Sequence, residues 1–82
     1  MNEEIRKQIS VDFQEEEVQL AAKEIVKITL DDVMARSQTN LENTYFAILT
    51  LSKGNLVQLK ELVVAAKRDF RDVIYWATLE KK

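Results

Sequence analysis

Residues 39–59 read TNLENTYFAILTLSKGNLVQL, and they predict two helices joined by a tight turn. The first four letters have the spacing of a capping box, which is typical of a helix start. The apolar residues that follow cover most of a helical wheel, as in a helix that packs on several sides. Gly54 suits the left-handed position after a helix, and Asn55 can cap the next helix. We therefore expect a central helix over about residues 40–53 and a hairpin turn around Gly54.

The helix after this turn is expected to run from about residue 56 to residue 80, which is long for so short a chain. Its apolar residues recur in alternating steps of three and four, the pattern of a bundle seam. They are Leu56, Leu59, Val63, Ala66, Phe70, Val73 and Ala77. This face is predicted to lie in the core.

An earlier helix is expected over about residues 13–37. Asp12 and Glu15 have capping-box spacing, and the apolar side chains that follow lie mostly on one side of a helical wheel. Thr29 followed by Asp32 can cap a fresh helix. The segment is therefore either one helix or two with a break at Thr29, and the sequence favours one helix because neither Gly nor Pro interrupts it.

Residues 1–12 form a separate lead-in segment whose apolar spacing is ambiguous. Residues 9–13 alternate apolar and polar side chains like a half-buried strand, whereas Ile5 and Ile9 are four residues apart, which is a helical spacing. We expect an irregular or weakly helical segment that lies on the bundle. The alternative is an arm exchanged with a partner chain.

The length of 82 residues predicts a single helical domain over residues 1–82. Hydrophobic residues make up 46% of the chain and charged residues 32%, which fits a compact folded domain. One glycine and no proline argue against a strand-rich fold, which needs many tight turns. The expected fold is all-α: a small three-helix bundle, or a four-helix bundle if Thr29 marks a break, with a long C-terminal helix.

The residue types present leave few options for catalysis. The chain has no cysteine and no histidine, so it lacks thiolate nucleophiles, imidazole bases and the usual zinc ligands. Asp69 and Asp72 are three residues apart, but a divalent cation needs several further oxygen ligands. A single glycine cannot form a glycine-rich phosphate loop. We expect no enzymatic activity, no cofactor and no metal site.

The charge distribution bears on partners and location. The formal net charge is −2, the wrong sign for a domain that binds nucleic acid by neutralising phosphates. Residues 1–37 hold five basic and nine acidic residues, a net of −4, and residues 38–82 hold seven and five, a net of +2. These halves can attract each other within one chain or across a dimer. The sequence shows neither a membrane span nor a secretory signal, so we expect a cytoplasmic protein that does not bind membranes.

The long C-terminal helix carries apolar residues outside its core face. Scattered exposed apolar side chains are ordinary, but aromatic residues on such a strip favour a protein interface with a charged rim. The candidate interface consists of Val57, Val64, Tyr75, Trp76, Leu79, Arg68 and Arg71.

We therefore expect a small helical protein–protein interaction or assembly module that forms a homodimer. The alternative is a nucleic-acid-associated regulator or an antitoxin-like adaptor. A continuous positive stripe would favour the alternative, whereas interleaved acidic residues would interrupt it. The stripe would comprise Lys60, Lys67, Arg68 and Arg71.

Overall fold

The computed structural model describes residues 2–80, and every regular element among them is helical. This confirms the predicted all-α class. The α-helices are α1 (Glu3–Asp12), α2 (Glu15–Ile25), α3 (Gln38–Ser52), α4 (Leu56–Arg68) and α5 (Phe70–Glu80), and two short 3-10 turns cover Leu30–Asp32 and Met34–Arg36.

α3 is the central helix of the fold. It packs against α1, α4 and α5, and seven of its fifteen residues are buried. α2 packs against α1 and α4, while α4 also packs against α5. The C-terminal ends of α3 and α5 meet, since the Lys53 ammonium lies 3.4 Å from the Glu80 carboxylate. The wide apolar surface predicted for the central helix is thus buried against α1, α4 and α5.

Hydrogen bonds satisfy the polar groups buried around α3. The Tyr45 hydroxyl donates to the carbonyl oxygen of Ile28 at 2.8 Å. Burial raises the pKa of Tyr45, and the nearby negative charge of Asp32 raises it further. The hydroxyls of Thr44 and Ser52 donate to backbone carbonyls one turn earlier in α3. Tyr45 therefore ties α3 to the segment that follows α2.

Residues 3–12, expected to be irregular or weakly helical, form the regular helix α1, so the irregular alternative is wrong. The side chain of Asn2 caps this helix by accepting a hydrogen bond from the Glu4 N–H at 2.7 Å. Ile5 and Ile9 are buried against α2 and α3, whereas Val11 is 79% exposed. The helical spacing of the two isoleucines decides the conformation because it buries both of them. Exchange of this segment with a partner stays a prediction, and Met1 lies outside the described residues.

The predicted continuous helix over residues 13–37 is also wrong. α2 starts at Glu15 and ends at Ile25, and a capping box at Thr29 and Asp32 starts a 3-10 turn. The Thr29 N–H donates to the Asp32 carboxylate at 2.8 Å, and the Asp31 N–H donates to the Thr29 hydroxyl at 3.3 Å. These local bonds compete with continued helix, so the alternative of a break at Thr29 is the correct one.

α3 begins two residues earlier than the predicted start at residue 40. The Ser37 hydroxyl caps it by accepting a hydrogen bond from the Asn40 N–H at 3.2 Å. Before this cap, Ala35 and Arg36 both have positive φ, so the chain reverses direction there without a glycine.

The long C-terminal helix is broken at Asp69 into α4 and α5. Asp69 has an extended backbone with φ −161 and ψ 103, and its carboxylate accepts a hydrogen bond from the Arg71 N–H at 3.1 Å. An unbroken helix over residues 56–80 would be about 37 Å long. The longest dimension of the described chain is 34 Å. The break lets α5 fold back onto α3 instead of extending beyond the core.

The turn between α3 and α4 follows the prediction. Lys53 has φ 50, Gly54 has φ 78, and the side chain of Asn55 accepts a hydrogen bond from the Gln58 N–H at 3.0 Å. A Cβ atom at residue 54 would overlap the backbone carbonyl oxygen of Asp12 at the end of α1. Glycine is therefore required here both for its positive φ and for the close approach of α1.

Lys67 fastens the C-terminal end of α4 to the segment after α2. Its ammonium donates to the carbonyl oxygen of Lys27 at 2.9 Å and to the Asp32 carboxylate at 3.0 Å. Partial burial raises the pKa of Asp32, but the hydrogen bonds from Thr29 and Lys67 and the charge of Lys67 outweigh it. The pKa of Asp32 consequently lies below its usual value.

Gly54→Ala is predicted to lower the free energy of unfolding by about 2–3 kcal/mol, since the methyl group adds left-handed strain and displaces α1. Urea unfolding followed by circular dichroism measures this loss. The matched control is Ala35→Gly at φ 58, which we expect to leave stability unchanged or raise it by about 1 kcal/mol. Equal stability of Gly54→Ala and the parent would contradict the close approach of α1.

Lys67→Met is predicted to lower the free energy of unfolding by about 1 kcal/mol at pH 7. The folded-state pKa of Asp32 lies below its unfolded value, so the ion pair contributes fully above about pH 4. As the pH falls through the folded-state pKa, the contribution of the ion pair is lost and the deficit of Lys67→Met becomes smaller, leaving the part that comes from the hydrogen bond to the Lys27 carbonyl oxygen. Urea titrations between pH 7 and pH 2.5 test this, with the exposed Lys60→Met as control. A deficit that is the same at every pH would show that the ion pair with Asp32 does not contribute.

Candidate protein-interaction surface

The break at Asp69 divides the predicted interface strip between two helices. Val57, Val64 and Arg68 lie on α4, whereas the remaining four residues lie on α5. The predicted strip along one continuous helix is therefore wrong. All seven side chains are exposed. The residues on α5 are Arg71, Tyr75, Trp76 and Leu79.

α5 exposes three large apolar side chains within two turns, and we call them the α5 patch. Tyr75 is 61% exposed, Trp76 is 41% exposed and Leu79 is 48% exposed. The opposite side of α5 buries Val73 and Ala77 against the core. Phe70 and Ile74 of the same helix also pack partly buried against the core, which leaves Tyr75, Trp76 and Leu79 toward solvent.

A groove borders the α5 patch where α5 passes the end of α3. Leu51, Trp76, Leu79 and Glu80 line this groove, which has a volume of about 480 Å³. The groove is shallow and open, and its surface is polar as well as apolar; the Glu80 carboxylate at its edge lies 3.4 Å from the Lys53 ammonium. Leu51, Lys53 and Glu80 were not among the candidates from the sequence, because only the packing of α5 on α3 brings Leu51 and Glu80 beside Trp76 and Lys53 against Glu80.

The charges around the α5 patch are balanced. Arg71 and Asp72 lie one turn before Tyr75 and Trp76 respectively, and Lys53 and Glu80 lie at the other end. These four residues comprise two cations and two anions. The rim is therefore neutral as a whole.

Arg71 is held in place by the residue that breaks the long helix. Its Nε and Nη2 atoms donate to the two carboxylate oxygens of Asp69, each at 3.0 Å. These hydrogen bonds lower the pKa of Asp69 and raise the pKa of Arg71. The guanidinium thus lies at the start of α5 in a fixed bidentate pair.

The exposed valines of α4 form a weaker candidate surface. Val57 is 65% exposed and Val64 is 59% exposed, but they lie two turns apart. The charged residues Lys60 and Glu61 are exposed between them. Single exposed valines are ordinary on a protein surface.

The positive stripe that would favour nucleic acid is interrupted in the folded chain, as expected from the interleaved acidic residues. Lys67 pairs with Asp32 and Arg71 pairs with Asp69, so two of its four cations already contact carboxylates. The other two cations are Lys60 and Arg68, and Glu61 is exposed on α4 next to Lys60.

Two further grooves lie beside α1. One has a volume of about 290 Å³ between α1 and α2, and the other has a volume of about 320 Å³ between α1 and α3. The other large exposed apolar residues occur singly on different elements: Val11, Leu20, Val26 and Met34. Among residues 2–80, α5 is where such residues are concentrated.

Nothing in the described chain forms a metal site or a membrane span. Residues 2–80 contain no group of three or more His, Cys, Asp or Glu residues arranged to hold a metal ion. Asp69, one member of the carboxylate pair considered from the sequence, instead binds Arg71. No helix in this part of the chain has both the length and the apolar character needed to cross a bilayer.

The chain matches no protein-family model, no curated protein and no solved structure. The interaction surface is therefore assigned from its own chemistry.

Proposed function

We propose that this chain is a small helical protein–protein interaction module that forms a homodimer through the α5 patch. The observation that carries this proposal is the joint exposure of Tyr75, Trp76 and Leu79 on one short helix. Aromatic residues at the centre of a patch, with charged residues at its edge, are the usual anchors of protein interfaces. We also propose that the protein is cytoplasmic.

The neutral rim supports a second copy of the chain as the partner. In a symmetric dimer the same patch is presented by both copies, so a rim of one sign would repel itself. The rim here has two cations and two anions, and opposite charges can therefore face each other across the interface. A neutral rim does not attract a strongly charged partner.

The small size of the chain supports the same proposal. A domain of this length buries a modest fraction of its surface, so apolar side chains left over gain most from a second chain. The residues on α4, Val57, Val64 and Arg68, belong to the edge of the interface in this proposal. Arg71 contributes to its rim.

The nucleic-acid alternative has less support. The net charge is −2, and Lys67 and Arg71 are already paired with carboxylates of the same chain. Neutralising a phosphate backbone requires cations that can approach it.

Tyr75→Glu is predicted to convert the dimer to a folded monomer. Burying an unpaired carboxylate at the interface costs several kcal/mol, which weakens the dimer at least about a hundredfold. Light scattering during size-exclusion chromatography at tens of micromolar measures the mass, and circular dichroism checks that helix content is retained. Val64→Glu is expected to weaken the dimer less, because α4 lies at the edge.

The matched control is Val11→Glu, which places the same charge on an exposed apolar position of α1 and should leave the dimer intact. A parent protein that is monomeric at tens of micromolar would overturn the homodimer. Retardation of duplex DNA by that monomer would favour the nucleic-acid alternative.

A further inference from the structure

We propose that the junction between α4 and α5 is a hinge through which two copies of the chain can exchange α5. In the exchanged dimer, α4 and α5 straighten into one helix, and the α5 of each copy packs on the α3 of the other. Asp69 is the residue that keeps the hinge closed. This inference does not depend on the α5 patch, because it concerns the buried side of α5 and not the exposed one.

The apolar seam runs through the junction without a change of phase. Its residues recur in alternating steps of three and four on both sides of Asp69, and all of them are buried or partly buried. They are Leu56, Leu59, Val63 and Ala66 on α4 and Phe70, Val73 and Ala77 on α5. One helix over residues 56–80 would therefore keep the whole seam on a single face. The sequence pattern suits the straight form as well as the broken one.

Only one residue separates the two helices. Asp69 has φ −161 and ψ 103, yet it is neither glycine nor proline, so its residue type permits a helical conformation. Its own N–H already donates to the carbonyl oxygen of Ala65 at 2.9 Å, as in a continuing helix. A straight helix would add hydrogen bonds from the N–H groups of residues 70–72 to the carbonyl oxygens of residues 66–68.

The break is held by hydrogen bonds to Asp69 itself. Its carboxylate accepts from the Arg71 N–H at 3.1 Å and from the Arg71 guanidinium at 3.0 Å, and its carbonyl oxygen accepts from the Asp72 N–H at 3.2 Å. The Arg71 side chain is 67% exposed, so its ion pair with Asp69 contributes little. The backbone cap from the Asp69 carboxylate is thus the main local interaction that favours the break.

A second copy is the partner that this movement requires. When α5 moves away, it uncovers its own Val73 and Ala77 and the part of the bundle against which it packs. The α5 of another copy has the same side chains, so it fits that surface as the chain's own α5 does. The exchanged dimer regains the contacts of α5 with α3 and α4 apart from those at the hinge. The hinge and the cost of association therefore decide between the two forms.

Asp69→Ala tests the hinge in a background in which the α5 patch cannot form a dimer. Tyr75→Glu supplies that background. Loss of the cap favours the straight form about fivefold for each hinge, and therefore about twenty-fivefold for the two hinges of a dimer. We expect the association constant of Tyr75→Glu/Asp69→Ala to exceed that of Tyr75→Glu by this factor. Light scattering over a concentration series, after refolding at each concentration, measures both constants.

Cross-linking shows which chain supplies α5. The side chains of Lys53 at the end of α3 and Glu80 at the end of α5 lie 3.4 Å apart, and the chain has no cysteine. After Lys53→Cys and Glu80→Cys, a short bis-maleimide joins the two positions within one chain in the closed form and between two chains in the exchanged dimer. A denaturing gel separates these products. We expect the product joined between chains to increase with the dimer fraction of the Asp69→Ala protein.

Two other substitutions of Asp69 control for the cap. Asp69→Asn is the matched control, because asparagine caps a helix about as well as aspartate, and exchange should stay at the level of Tyr75→Glu alone. Asp69→Glu gives a poorer cap and a better helix former, so it should promote exchange as Asp69→Ala does. It provides a second test if Asp69→Ala does not fold. Circular dichroism establishes that each variant is folded.

The outcomes separate the exchange from the proposed function. Cross-linking of folded Asp69→Ala only within single chains would overturn the exchange, and so would equal dimerisation of Asp69→Ala and Asp69→Asn. Neither result affects the α5 patch, which the parent and Tyr75→Glu test by themselves. A monomeric parent would overturn the dimer through the α5 patch, yet Asp69→Ala would still have to exchange α5.

Discussion

The burial of α3 is the constraint on which the rest of this fold depends. A helix of fifteen residues is marginal on its own in water, and its stability comes from the neighbours that cover its apolar surface. α3 is apolar on most of its circumference, so one neighbour cannot cover it. The chain supplies three, α1, α4 and α5, and α2 closes the space between α1 and α4. The short helices follow from this requirement, because a chain of this length has to reverse several times around one axis.

Polar side chains determine where those reversals occur. The side chains of Thr29 and Asp32 form a capping box in the segment after α2. Asp69 caps α5, and Asn55 caps α4. Each cap gives a hydrogen bond to an N–H group that the break leaves without an intrahelical partner. Lys67 then joins two of these segments by binding Asp32 and the carbonyl oxygen of Lys27. The ends of the helices are thus held by a small set of charge-assisted hydrogen bonds around an apolar centre.

The same arrangement produces the interaction surface. α5 packs on α3 and buries Val73 and Ala77, with Phe70 and Ile74 partly buried against the same core. Tyr75, Trp76 and Leu79 remain outside, and the end of α3 forms one wall of the groove beside them. We propose that a second copy covers this surface, since three large apolar side chains are exposed together and the surrounding charges cancel.

The sequence by itself determined the helical class, the central helix and the turn at Gly54. These follow from local signals: the capping spacing before α3, the apolar wheel of residues 41–53, and a lone glycine between two helices. The exposed aromatic residues of α5 could also be predicted from the helical wheel, because in any regular helix they point away from Val73 and Ala77.

Only the tertiary structure decided the breaks at Thr29 and Asp69, the helical state of residues 3–12, and the groove. Capping at Thr29 or Asp69 and continued helix differ locally by only about 1 kcal/mol, so the burial of distant side chains selects between them. At residues 3–12 the strand-like and helical spacings overlap, and the packing of Ile5 and Ile9 on α2 and α3 selects the helix. The groove depends on Leu51 and Glu80, which lie on different helices. No local pattern places them together, because their contact exists only once α5 has folded back onto α3.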